Sequence, residues 1–362
     1  MSGQDGIAKF IRKDLKAFGG YSARIDPVTL EGKVEVKPEN IIKLDANENP
    51  YGCSPAVQRA MASYPDFSIY PDDSQMKLKK LLADYCGVGE KYIVAGSGSN
   101  QLIDLILRLF LEYGEEVINC VPTFGIYKFS TDLCGGKLVN IPRKSDFSVD
   151  IPAVKAAITP KTKVIFLANP NNPTGNMTPE ADIIELLETG LVTVIDEAYV
   201  EFSGGTVMPL VEQYRNLIVL RTFSKWAGLA GLRIGYGAFP PEIAEYLLRI
   251  KIPYNVNAAA QVAVEESFKN IDSLKTVIQL IIKERERLFS ELQTINWLKP
   301  QPSQANFILC RVEGNAKQLR QSLQDKGILI RYYDDALLQD YVRISVGKPE
   351  HTDALMDVLR SL

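Results

Sequence analysis

The sequence predicts an α/β fold, with a large domain built on a mainly parallel, seven-stranded sheet flanked by helices and a small α+β domain after it. Three observations carry this reading. Short β-rich runs alternate with helical segments between residues 92 and 239. Several of those runs are continuously apolar, as in strands covered on both faces. After Pro253 the alternation stops and long helical patterns take over.

Taken in order, the expected strands are "YIVAG", "EEVINCV", "KLVNIPR", "KVIFLANP", "LVTVIDEAY", "LIVLRTFS" and "RIGYGAF". Between the first two, the helix from Ser99 to about Glu112 is apolar nearly all round and is expected to be buried. Beyond Pro253, "NAAAQVAVEESFKN" and "DSLKTVIQLIIKERERLFSELQTI" read as two helices, the second long and strongly charged on one face. It is expected to carry the chain into the small domain. There the strand "PSQANFILCRV", a helix around "NAKQLRQSLQDKG", the strands "ILIRYY" and "YVRISVG" and a last helix follow. The expected division is an N-terminal arm over 1–40 packing on the small domain, a large domain over 41–260 and a small domain over 261–362.

Composition narrows the function. The 362 residues are 46% hydrophobic and 23% charged, enough for one large core or about two domains. With 41 basic against 44 acidic residues the net charge is -3, so no bulk field draws nucleic acid or an anionic membrane, and neither is expected as a partner. The most apolar segment, "LIDLILRLFL", is broken by Asp104 and Arg108 and is too short to span a bilayer. The first residues mix Lys and Arg with Asp5 and Asp14 and do not read as a signal peptide. Five cysteines without CxxC spacing read as reduced thiols in a cytoplasmic protein. His351 is the only histidine, so no metal cluster and no histidine base are expected.

Four stretches fall where expected strands end, the place where open α/β sheets hold ligands. "GSGS" at 96–99 opens the buried helix, and its amides with the helix dipole suit an anion; taken alone, a plain turn capped by Ser97 or Ser99 is the commoner explanation. "NPNNPTG" at 169–175 is accounted for by turn chemistry, except that Asn172 has an amide able to donate to a ligand. Asp196 in "VIDEAY" needs a cation or strong donors if buried, which a structural salt bridge or a protonated ring nitrogen would supply. Lys225 in "RTFSKWAGLAGLRIG" is either a snorkelling surface lysine or, desolvated near Arg233, a nucleophile able to form a Schiff base.

Together "NPNNPTG", "DEAY", "TFSK" and "GLAGLRIG" resemble, in order and over nearly the whole chain, the pyridoxal-phosphate-dependent aminotransferases of fold type I. The resemblance implies pyridoxal 5'-phosphate as cofactor, held covalently by Lys225, which also shuttles the proton. Asp196 would keep the pyridine nitrogen protonated, and Asn172 and Tyr199 would bond the phenolic oxygen. Gly98, Ser99, Thr222, Ser224 and Arg233 would cradle the phosphate. Phe124 would stack on the ring where many relatives have tyrosine. Tyr70 resembles the tyrosine that reaches the neighbouring subunit's phosphate, which implies a homodimer.

Within that family, "LDANENPYG", "YPD", "GLAGLRIG", "ILIRYY" and "YVRISVG" look most like the histidinol-phosphate aminotransferase branch. This implies histidinol phosphate and glutamate or 2-oxoglutarate as alternating substrates in histidine biosynthesis. Arg343 matches that branch's carboxylate-binding arginine, with Arg331, Tyr21 and Tyr254 as further substrate contacts. Aromatic amino acid aminotransferases and threonine-phosphate decarboxylases share the cofactor machinery and are the rival readings.

Overall fold

Every one of the seven expected runs forms a strand of a single sheet. The computed structural model describes residues 6–16, 18–20, 29 and 36–362. After a short strand β1 (Ile42–Leu44), the sheet comprises β2 (Ile93–Gly96), β3 (Glu116–Val121), β4 (Lys137–Pro142), β5 (Thr162–Ala168), β6 (Val192–Asp196), β7 (Leu217–Thr222) and β8 (Gly235–Ala238). Their order across the sheet is β2-β8-β7-β6-β5-β3-β4. β8 runs antiparallel to both neighbours, and the other pairings are parallel.

The runs are continuously apolar because each face of this sheet has its own core. Val164 and Phe166 of β5 join one cluster, with Leu102 and Ile106 of the helix Gly98–Phe110. Ile165 and Leu167, one residue out of phase, join the other, with Ile183 and Leu186 of the helix Glu180–Leu187. Full burial of each such side chain stabilises the fold by about 1.5–3 kcal/mol, so both faces favour the same register.

A second sheet holds β9 (Leu298–Pro300), β10 (Phe307–Val312), β11 (Ile328–Tyr332) and β12 (Tyr341–Ser345), in the order β1-β11-β12-β10-β9. β1 pairs in parallel with β11, joining Ile42 to Ile328 and Leu44 to Ile330. A boundary at residue 41 therefore puts β1 with the large unit while its backbone belongs to the second sheet. β1 and β9 have three residues each, too few to show a period in sequence. The helix Ile271–Gln293 bridges the two sheets, and Arg285 Nη1 donates to both Phe202 O and Ala305 O, at 3.1 and 3.2 Å.

The N-terminal arm, expected on the small domain, touches both units. Phe18 lies 5.2 Å from Phe129 in the helix Ile126–Leu133, and Arg12 donates to Leu133 O at 3.2 Å, beside the large sheet. An aromatic partner for Phe18 is available there. Val36 instead packs against Gly327, just before β11.

From β3 the chain runs to β4 on one side and then crosses to β5 on the other. Such a reversal opens a crevice at the carboxyl ends of the strands. One close approach fixes its floor: a Cβ on Gly235 would lie 2.3 Å from the backbone nitrogen of Ser99. Gly235→Ala should therefore lower stability by more than about 2 kcal/mol in urea denaturation, whereas Gly231→Ala, which has open space around it, should stay within about 0.5 kcal/mol. Equal effects for the two would refute the close-packing account.

Candidate active site

A cavity of about 550 Å³ opens where β3, β5, β6 and β7 end, walled on the far side by residues 45–48 and by β11 and β12. Of the residues singled out in the sequence, Ser99, Phe124, Asn172, Asp196, Tyr199, Thr222, Ser224, Lys225, Arg233, Arg331 and Arg343 line it.

One end suits an anion. Neither Ser97 nor Ser99 caps the helix Gly98–Phe110; Gln101 Oε1 does so instead, accepting from Ser97 N at 2.7 Å. The amides of Gly98 and Ser99 lie in the first helical turn, where no intrahelical acceptor is available. A Cβ on Gly98 would sit 2.5 Å from Arg233 Nη2, so the absence of a side chain lets the guanidinium meet the helix start. Arg233 Nη1 also reaches Ser224 Oγ at 3.5 Å, and Thr222 Oγ1 donates to Ser224 Oγ at 2.9 Å. Amides, hydroxyls and a guanidinium converging on a helix N-terminus favour a phosphate or carboxylate.

Asp196, the last residue of β6, is 3% exposed and has no cation beside it among the described residues. Oδ2 accepts from Tyr127 Oη at 2.8 Å and Oδ1 from Ala198 N at 3.1 Å. Burial pushes its carboxyl up from its ordinary value near 3.8 to about 6, against the lowering effect of the Tyr127 hydrogen bond. The structural salt bridge open to Asp196 in the sequence falls on its neighbour: Glu197 Oε2 meets Arg221 at 2.9 Å.

Lys225 is partly buried. Its Nζ donates to Ala46 O at 3.0 Å and lies 5.8 Å from the ring centroid of Tyr199. It therefore points into the cavity rather than snorkelling to the surface. Tyr199 Oη accepts from Asn47 Nδ2 at 3.0 Å, and burial pushes the phenol up to about 12. Within "NPNNPTG", Asn171 and Asn169 serve the turn: Asn171 Nδ2 donates to Pro122 O and Thr174 Oγ1, and Asn169 Oδ1 accepts from Thr178 N. Asn172 faces the cavity, with Oδ1 accepting from Arg343 Nη1 at 2.7 Å.

Arg331 and Arg343 are direct partners across β11 and β12. Like charges at opposed positions destabilise a sheet unless anions offset them. Arg343 is buried, donates Nη2 to Asp45 O at 2.6 Å and lies 5.2 Å over Phe307; its Nε has no hydrogen-bond partner among the described residues. Arg331 is packed near Tyr333.

Two tyrosines lie apart from the cavity. Tyr70, 78% exposed, stacks on Tyr254 with centroids 4.6 Å apart. Tyr254, expected at the substrate, is therefore held at the surface of its own chain, at a left-handed φ of 53 to 57° shared with Asn47 and Arg233. Tyr21 lies outside the described residues.

The profile of the family described as aminotransferase class I and II matches residues 39–360. The chain belongs to that family. A histidinol-phosphate aminotransferase of Dehalococcoides mccartyi is 52% identical over 354 residues, spanning 98% of both chains. A chloroplastic histidinol-phosphate aminotransferase of Arabidopsis thaliana is 45% identical, spanning 97% of this chain and 85% of the other. Among solved structures, the histidinol-phosphate aminotransferase from Sinorhizobium meliloti in complex with pyridoxal-5'-phosphate superposes with a TM-score of 0.87 at 28% identity, covering 97% and 98% of the two chains.

In this member of the family the structure adds Asn47, Tyr127 and Tyr333 to the residues singled out in sequence. Neither Tyr127, the second residue of its helix, nor Asn47 in "LDANENPYG" has a local pattern to mark it. The raised carboxyl of Asp196 has a measurable consequence. Between pH 4 and 6 the folded, ligand-free protein binds a proton there that the unfolded chain does not, so this group's contribution falls as pH rises through about 6. Asp196→Asn should gain on the wild type by about 2 to 3 kcal/mol from pH 4 to pH 7. Urea denaturation at both pH values checks this, and a constant difference would refute it.

Proposed function

We propose that this protein is a pyridoxal-phosphate-dependent aminotransferase converting L-histidinol phosphate and 2-oxoglutarate to imidazole acetol phosphate and L-glutamate, in histidine biosynthesis. The observation that carries the reading is the opposed pair Arg331 and Arg343 in the same cavity as Lys225 and Asp196. Both substrates present anionic groups, and one arginine fork can grip the phosphate of the first and a carboxylate of the second in turn. The 52% identical relative supports the same choice.

The residues fit the cofactor. Gly98 lets the Arg233 guanidinium meet the helix start, where a phosphate would sit, and Asp196 is a buried carboxylate with no cation beside it among the described residues. Bound pyridoxal phosphate supplies a reactive carbonyl and a ring that withdraws electrons from the substrate carbon. The chain's residues do the rest. The Gly98 and Ser99 amides, the Thr222 and Ser224 hydroxyls and Arg233 hold the phosphate. Asp196 keeps the ring nitrogen protonated, Phe124 covers the ring face, and Tyr199 with Asn172 addresses the phenolic oxygen. Lys225 Nζ would hold the cofactor's carbonyl carbon, and as a free amine it would take and return the proton at the substrate's Cα.

The active unit in this reading is a cytoplasmic homodimer. Tyr70 is exposed, as are the apolar side chains Phe67, Ile69, Met76 and Ile252, the kind of surface that a subunit interface covers. Its neighbour is fixed rather than floppy: Asp73 Oδ1 accepts from Tyr254 N and from the buried Lys251 Nζ, both at 2.8 Å. Tyr70 then reaches the phosphate of the partner subunit.

The deciding test mixes the loaded protein separately with histidinol phosphate, phenylalanine and threonine phosphate and follows conversion of the cofactor to its amine form. Histidinol phosphate should react fastest. Preference for phenylalanine, or CO2 release from threonine phosphate, would replace the substrate assignment by one of its rivals. Lys225→Ala should abolish turnover while leaving the fold intact, and appreciable turnover in that variant would sink the mechanism. Arg343→Ala should raise KM for both substrates by roughly 10- to 100-fold, since each loses charge-assisted hydrogen bonds; an effect on one alone would remove the shared-site reading.

A further inference from the structure

Tyr127 is a fully buried phenol whose one hydrogen bond, Oη to Asp196 Oδ2 at 2.8 Å, goes to the carboxylate at the centre of the site. Its ring is fixed from two directions. It stacks on Phe166 of β5 with centroids 4.8 Å apart and planes at 11°, and it meets Phe124 edge-on at 5.7 Å and 90°. A ring needed only for packing would be as well served by phenylalanine, because burying a hydroxyl costs free energy unless it is bonded.

Burial and the neighbouring carboxylate push this phenol well above its ordinary range, so it stays neutral and can serve Asp196 only as a donor. The groups around the pair are few. Ala198 N donates to Asp196 Oδ1, Glu197 opposes the charge of Asp196 and Tyr199 is close by. On the other side of the phenol, the buried Arg143 donates Nε to Cys120 O and Nη1 to Phe147 O, and its charge acts on Tyr127. Among these only the Tyr127 and Ala198 hydrogen bonds favour the charged form of Asp196.

We propose that Tyr127 is a positioning residue for the reaction, its phenolic O–H holding Asp196 in place as an anion so that a carboxylate, not a neutral acid, meets the cofactor's ring nitrogen. The role rests on the functional reading above, but the pair itself does not. Without the donor, the midpoint of Asp196 should rise by about one pH unit. From a starting value of about 6, the neutral fraction at about pH 7.5 would go from about one in thirty to about one in four.

The test is an infrared titration of the cofactor-free protein, following the C=O band of the protonated carboxyl and assigning it by its loss in Asp196→Asn. Tyr127→Phe should move the midpoint up by about one pH unit. Fluorinated tyrosine placed at position 127, a stronger donor of nearly the same shape, should move it down. Opposite shifts cannot come from loosened packing. In the loaded enzyme, Tyr127→Phe should lower kcat by about a fifth at about pH 7.5 and about threefold at about pH 6.5, following the neutral fraction, and leave KM within about twofold. An unchanged midpoint in folded Tyr127→Phe, or shifts of the same sign in both variants, overturns the proposal. If the wild type fails to transaminate, the functional reading falls, and the titration still decides whether Tyr127 governs Asp196.

Discussion

Asp196 is withdrawn from water at the end of a central strand and meets a phenol and one amide N–H, and among the described residues no cation pairs with it. Glu197, one residue on, projects to the other face and is satisfied by Arg221, Thr206 Oγ1 and the Val207 amide. The period of two in an extended chain thus sends one carboxylate into a closed ion-pair network and leaves the other waiting for a cation. An unpaired buried carboxylate costs free energy and persists where its partner arrives from outside. The sheet meets that cost with apolar residues on both of its faces, and the rest of the site is arranged around the carboxylate that remains.

The segment 45–49 is the other structural hinge of the site, because it bonds both units at once. Asn47 N donates to Ser345 Oγ, Ser345 Oγ donates back to Asn47 Oδ1, and Asn306 Nδ2 donates to Asn47 O. The same asparagine donates to Tyr199, Ala46 O takes the Lys225 ammonium, and Asn49 Nδ2 donates to Trp226 O. Such a network is fully built only when both sheets are in place, so cavity and fold form together. The left-handed φ of Asn47, 53°, is the local strain that this crossing requires, and asparagine tolerates it better than most residues.

The strands of the large sheet were legible because burial on both faces writes itself as continuous apolar runs. The residues at their carboxyl ends were legible for the same reason, since each follows a strand that the reader has already placed. β1 and β9 were not, being three residues long and defined only by partners far along the chain. Tyr127 and Asn47 escaped for a related cause: nothing in the stretch "TFGIYKF" says that its tyrosine will touch an aspartate from another strand. The two readings left open for Asn172 are separated only by seeing Asn169 and Asn171 already engaged in the turn. Tyr254, which likeness in sequence put at the substrate, lies beside Tyr70 and away from this chain's own cavity.

Net charge gave no hint of the site's polarity. The chain carries -3 overall, yet Lys225, Arg233, Arg331 and Arg343 all line one cavity. Three carboxylates share it, and they do not cancel the cations. Glu48 is paired with Lys43 at 2.6 Å, and the Asp196 oxygens are taken by Tyr127 Oη and Ala198 N. The cations also divide into separate neighbourhoods, Arg233 with Gly98 and Ser224, Arg343 with Asn172 and Asp45. Low-dielectric walls strengthen each of these local fields, so an overall acidic protein holds two distinct places for anionic groups within one cavity. Two anionic recognition points with an amine nucleophile in the same space are what a substrate with a fixed anionic tail and a cofactor with its own phosphate require. That demand falls on four cations drawn from three separate stretches of chain, which only the folded crevice brings together.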